Sequence, residues 1–104
     1  MTPPDIIYKI VPATLWRANE ASGVFTGSAV DVRDGFIHFS TAEQVRETAA
    51  RHFAGVEDLL LVAVSTDQLD IKWEPSRGGA LFPHLYAPLP LTSVRWVREF
   101  QRDR

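Results

Sequence analysis

The hydrophobic pattern begins with Ile6-Ile7-Tyr8-Lys9-Ile10-Val11, rich in β-branched residues and stopped by Pro12, which predicts a first strand. Residues 13–22 then predict a short helix closed by Gly23. Over residues 24–33 the pattern weakens and predicts a loop with at most short extended pieces. Residues 35–39 predict a second strand, with Ile37 and Phe39 on one face and Phe36, His38 and Ser40 on the other. A helix over about residues 42–53 follows, with two overlapping capping boxes, Ser40 with Glu43 and Thr41 with Gln44. Val45, Ala49 and Phe53 form its apolar stripe, and Gly55 ends it.

The second half of the chain is mostly strand. Residues 59–64 are continuously apolar, as expected of a strand buried on both faces. Residues 69–74 alternate, placing Leu69, Ile71 and Trp73 opposite Asp70, Lys72 and Glu74. Residues 75–79 read as a loop by composition. An extended segment over 80–86 and a last strand over 93–100 complete the pattern, separated by Pro88 and Pro90. The order predicts one α+β domain over residues 1–104, with a small mixed or antiparallel sheet and two helices, rather than a doubly wound sheet.

Composition narrows the function. A chain that is 45% hydrophobic and 23% charged is an ordinary globular protein. It has no cysteine, which excludes disulfides, thiolate zinc sites and cysteine nucleophiles and suits a cytoplasmic location. The net charge of -2 argues against holding nucleic acid by the overall field, although a local basic patch stays open. Arg95, Arg98, Arg102 and Arg104 gather near the C-terminus, but Glu99 and Asp103 interleave with them, as on a solvated charged edge. No apolar run approaches the ~20 residues that span a bilayer, and the first residues lack the basic and apolar parts of a signal peptide, so no membrane partner is expected.

Two strings carry polar chemistry where strands are ordinarily apolar: Asp34-Gly35-Phe36-Ile37-His38-Phe39-Ser40-Thr41 and Phe82-Pro83-His84-Leu85-Tyr86. On a strand, His38 and Ser40 lie about 7 Å apart on one face. A helix starting at Ser40 or Thr41 would set free N–H groups and a positive dipole end beside them, suited to a phosphate or carboxylate. His84 and Tyr86 share a face at period two and could bind a polar ligand, stack on a base or exchange a proton. Glu74, at a strand end before Arg77, could orient a ribose hydroxyl or act as a base. The bland alternative makes His38 a hydrogen-bonded core histidine, Ser40 and Thr41 caps, Lys9 and Arg33 solvated charges, and Trp16 a core residue. No metal-ligand spacing is present and no metal is expected. A triad of Ser40, His38 and Asp34 would need a separate element to reach its geometry.

These strings, with Ile7-Tyr8-Lys9-Ile10, Trp73-Glu74 and Arg77-Gly78-Gly79, resemble a small bacterial family catalogued as domain of unknown function 952. That family is similar in fold to the ADP-ribosyltransferases, and among them to the RNA 2'-phosphotransferases, which use NAD. The resemblance implies an ADP-ribosylation-like fold and NAD, or a related nucleotide, as the ligand. His38-Phe39-Ser40 matches the second-strand element of those enzymes, whereas Lys9 stands where their first strand has histidine. It further implies that His38, Glu74 and His84 carry catalysis and that Lys9, Ser40, Thr41, Arg77 and Tyr86 contact the ligand. Two classes of function fit: transfer or hydrolysis of an ADP-ribosyl or phosphoryl group, and a binding or interaction module without turnover. The pocket reading requires His38, His84 and Glu74 to converge on one cleft.

Overall fold

The computed structural model of the chain describes residues 4–101. Arg102, Asp103 and Arg104 of the basic C-terminal cluster lie outside the described residues, as does the side chain of Arg77. The elements run β1 (Ile6–Pro12), α1 (Ala13–Glu20), β2 (Val24–Phe25), α2 (Ala29–Asp34), β3 (Ile37–His38), α3 (Val45–His52), β4 (Leu59–Ser65), β5 (Ile71–Ser76), β6 (Ala80–Leu85), β7 (Leu89–Pro90) and β8 (Val94–Glu99). A short 3-10 turn over Arg77–Gly79 joins β5 to β6, and another over Leu91–Ser93 precedes β8.

The strands form three antiparallel sheets, in the orders β1-β4-β8, β2-β7 and β3-β6-β5. The described residues thus form a small α+β domain with antiparallel sheets and three helices. β4 is central in its sheet, and Val62, Ala63 and Val64 are fully buried there, which is why its sequence is apolar throughout. The main core joins Ile7 and Val11 of β1 to Trp16, Phe25, Ile37, Phe39, Val62, Leu85 and Leu89. A smaller cluster of Ile10, Val45, Ala49 and Leu59 seats α3 on the opposite side of the first sheet.

The first and third sheets are stitched together where Tyr8 and Ser40 exchange two backbone hydrogen bonds of 2.8 Å each. The third sheet carries the site. Its register sets His38 of β3 directly opposite His84 of β6, and Lys72 of β5 faces His84 from the other side.

Four sequence expectations need correction. The segment expected to be a loop holds β2 and the six-residue α2, too short to show a helical period. Gly35 closes α2 in the left-handed conformation, at φ 86°. β3 is shorter than its pattern because Pro83 accepts a 3.0 Å bond from the Phe39 N–H but has no N–H to return one. The ladder with β6 therefore stops at the histidine pair. α3 begins at Val45, not near residue 42, since residues 41–44 form a turn in which Gln44 N–H donates to the Thr41 carbonyl at 3.0 Å. β5 continues through Pro75 to Ser76, which an edge strand tolerates.

Candidate functional site

The site starts from an unusual residue in β1. Lys9 occupies the same strand face as Ile7 and Val11, the face that enters the main core. It is only 7% exposed, and a buried ammonium requires a partner. Asp31 of α2 supplies it, with an Nζ–Oδ2 distance of 3.0 Å. Nζ also donates to the His38 carbonyl at 2.8 Å. Burial pushes the Lys9 ammonium below its ordinary range, opposed by the Asp31 charge and hydrogen bond.

Asp31 is 2% exposed and serves several donors at once. Its Oδ2 accepts from the Ser28 N–H at 2.8 Å, half of a capping box on α2. Its Oδ1 accepts from the His38 backbone N–H at 3.1 Å and from His38 Nδ1 at 2.6 Å. Burial alone would raise this carboxyl, but the His38 bond, the Lys9 charge and the Ser28 N–H together hold it well below the usual carboxylate range. The chain approaches Asp31 so closely that a Cβ at Gly27, where φ is 114°, would lie 2.7 Å from the Asp31 Cβ. Only glycine fits there.

The other edge of the His38 ring meets a second carboxylate, since Nε2 lies 3.0 Å from Asp34 Oδ2. Asp34 ends α2 and also pairs with Arg33 at 3.0 Å. His38 is thus gripped at both nitrogens from a neighbouring helix.

A parallel arrangement surrounds His84, whose Nδ1 lies 2.7 Å from Glu74 Oε1. The same oxygen accepts from the Tyr86 hydroxyl at 2.7 Å. These two bonds, His84 first and Tyr86 second, lower the Glu74 carboxyl below its ordinary range. The Tyr86 phenol is pushed up by the same bond. Phe36 sits between the two pairs, stacked on His84 with ring centroids 4.1 Å apart, and lies 4.5 Å from His38 and 5.1 Å from Tyr86. The two imidazoles meet edge to face at 5.4 Å. His84 is buried, His38 partly exposed, and Tyr86 exposed.

The structure therefore brings His38, His84, Glu74 and Tyr86 together and gives the other expected site residues different surroundings. Lys9 is buried, with its ammonium paired to Asp31 and donating to the His38 carbonyl. Ser40 Oγ shares a 2.9 Å hydrogen bond with Thr48 Oγ1 of α3 and is 5% exposed. The Thr41 N–H donates to Gln44 Oε1 at 3.0 Å, so it does not stand open to an anion at a helix start. Arg77 follows β5 in the turn next to the site, but only its backbone is described. Reading from sequence missed Asp31 and Phe36 and set Asp34 aside. Asp34 does reach His38, because α2 is the separate element that the strand lacked. The signal for Asp31 was present as Ser28 followed three residues later by an acid.

Among the described residues, no group of three or more His, Asp or Glu side chains is arranged to hold a metal ion. No helix among them is long and apolar enough to cross a membrane. A groove of about 300 Å³ between α3 and the end of β8, lined by Tyr8, Val45, Arg46, Leu61, Arg98 and Phe100, contains none of Phe36, His38, Glu74, His84 and Tyr86.

Fold and site together define a small antiparallel α+β domain carrying two histidine–carboxylate pairs around one phenylalanine. The chain belongs to the family described as "Protein of unknown function (DUF952)", whose pattern matches residues 10–97. It is similar to protein CC0527 from Caulobacter crescentus, whose crystal structure is 50% identical and superposes with a TM-score of 0.88, covering 94% of this chain and 88% of that one. The solution NMR structure of CC0527, also 50% identical, gives a TM-score of 0.84 over 96% of this chain and 88% of that one. No curated protein matches the chain.

Proposed function

We propose that the chain binds a nucleotide, NAD foremost, against the wall formed by Phe36, His38, His84 and Tyr86, and that Glu74 faces the ribose. The observation that carries this reading is the convergence of both His84 Nδ1 and the Tyr86 hydroxyl on one oxygen of Glu74, beside the Phe36 and His38 rings. Aromatic faces suit a base or a nicotinamide ring. A carboxylate kept ionised can accept a ribose hydroxyl or oppose positive charge developing at an anomeric carbon. In ADP-ribosyl transfer or hydrolysis the bond from that carbon to nicotinamide breaks with the electron pair leaving on the ring, and an acceptor hydroxyl or water forms the new bond to the carbon while giving up its proton. Glu74 and His84 take the polarising and acid/base roles, and His38 lines the ribose or phosphate region. An ADP-ribosylation-like fold and a cytoplasmic setting belong to the same reading, which also draws on the resemblance of the histidine strings to the RNA 2'-phosphotransferases.

One observation favours binding without turnover. The β1 position that holds histidine in those enzymes is here Lys9, buried against Asp31, so it offers no ligand-facing group.

A thermal-shift series with NAD, ADP-ribose and nucleoside phosphates tests the proposal. Ligand at ~100 times its dissociation constant stabilises by about 2.7 kcal/mol, roughly 10 °C or more for a domain this small. His38→Ala and His84→Ala should each lose most of the shift. Absence of any shift across the series would overturn nucleotide binding. A shift without release of nicotinamide would assign the binding module.

A further inference from the structure

The two carboxylates on His38 are not equivalent. Asp31 is buried and held by Lys9, by the Ser28 N–H and by the His38 backbone as well as its ring. The side chain of Asp34 is 31% exposed, and its other partner, Arg33, is 72% exposed. Asp34 is attached at the end of α2, immediately before Gly35 with its left-handed backbone, rather than within a strand ladder. Exposed ion pairs hold weakly, whereas a buried charge stripped of its partner is strongly disfavoured. Nδ1 of His38 is therefore fixed, and Nε2 is the end that can change partners.

Each ring nitrogen of His38 lies within 3.0 Å of a carboxylate oxygen, Nδ1 of Asp31 Oδ1 and Nε2 of Asp34 Oδ2. Behind them stand two cations, Lys9 paired with Asp31 and Arg33 paired with Asp34. An outside anion that took the place of Asp34 at Nε2 would keep an anion on that ring nitrogen, with the Arg33 guanidinium of the neighbouring residue close by.

We propose that Asp34 is a resident stand-in for the anionic group of the ligand, and that a phosphate or carboxylate binds by displacing it from His38 Nε2. Asp34 then acts as a filter: an anion must bring enough further contacts to outcompete a carboxylate that is already tethered. The inference rests on the reading of His38 as part of the ligand wall, but it requires neither a nicotinamide nor a nucleoside.

The test uses the full chain and inorganic pyrophosphate at constant ionic strength, followed through the imidazole nitrogen and proton resonances of His38, His84 and His52. Pyrophosphate should move the His38 resonances first. Asp34→Asn should bind it up to about fivefold more tightly than the parent, the scale of one exposed ion pair. Asp34→Ser, which removes charge and reach together, should show the same gain, and His38→Ala should abolish it. Equal or weaker binding by the two Asp34 variants, with circular dichroism showing an intact fold, would overturn the proposal, as would shifts confined to His52. NAD binding that Asp34→Asn leaves unchanged, with no gain for pyrophosphate, removes this inference and keeps the nucleotide reading. A pyrophosphate gain without NAD or ADP-ribose binding does the reverse.

Discussion

Replacing Asp31 with alanine strips the partner from an ammonium that is 7% exposed and cannot turn toward water. Breaking one side of such a buried pair costs about 3–5 kcal/mol. The same substitution also removes the acceptor for the Ser28 N–H and for both donors of His38. A domain of this size holds only about 5–15 kcal/mol in total, so the loss is a large share of its stability. With an m-value of about 1.5 kcal/mol/M, the urea midpoint of Asp31→Ala should fall by roughly 2–3 M. Lys9→Met should cost less, because Asp31 keeps its bonds from His38 and Ser28 when the lysine is gone. The double variant Lys9→Met/Asp31→Asn should then lose clearly less than the sum of its single variants, with a coupling of about 1–3 kcal/mol. Equilibrium urea unfolding, with the m-values compared to check two-state behaviour, measures all of these. A loss below about 1 kcal/mol for Asp31→Ala, or strict additivity in the cycle, would show that the pair is solvated and that the account of the site above is wrong.

Two further outcomes follow from the same residue. The folded-state pKa of Asp31 lies below its ordinary value near 3.8, so its contribution is complete above that value and is lost as pH falls toward the folded pKa. Acid unfolding from about pH 4 downward should therefore be steeper for the parent than for Asp31→Asn, as read by tryptophan fluorescence. Gly27→Ala places a Cβ 2.7 Å from the Asp31 Cβ at a φ of 114°, so it should destabilise by about 1–3 kcal/mol and disturb the His38 resonances. Alanine at Gly23, which meets nothing within 4 Å, serves as the control for the backbone cost alone.

The longer strands were legible because they are long enough to show their pattern: β1, β4, β6 and β8 all appear close to where their patterns put them. The parts of the site on those strands were legible for the same reason. His84, Tyr86 and Glu74 share a face because period two places them there, and antiparallel pairing then brings His38 opposite His84. What the pattern concealed was α2. Six residues with exposed Val30 and Val32 have no amphipathic stripe to reveal a helix, yet α2 supplies both carboxylates that grip His38. Lys9 was misread because charge normally signals solvent. Its burial depends on an aspartate 22 positions away, a pairing that no local window contains.

The buried lysine also gives the site its attachment to the core. β1 belongs to the first sheet and His38 to the third, and Lys9 crosses between them by donating to the His38 carbonyl while neutralising Asp31. Next to it, Tyr8 and Ser40 join the same two segments through the backbone. His38 is thus fixed along its main chain by β1, at its ring by Asp31, and across the strand by its register with His84. A histidine needed only to fill space would not require three independent restraints, because apolar packing tolerates small displacements at modest cost. Restraints of this kind matter where a ring nitrogen must sit within a fraction of an ångström of a partner. Nδ1 is committed to that restraint, and Nε2 points to the exposed Asp34, so in the proposed function Nε2 is the end of His38 left for a ligand.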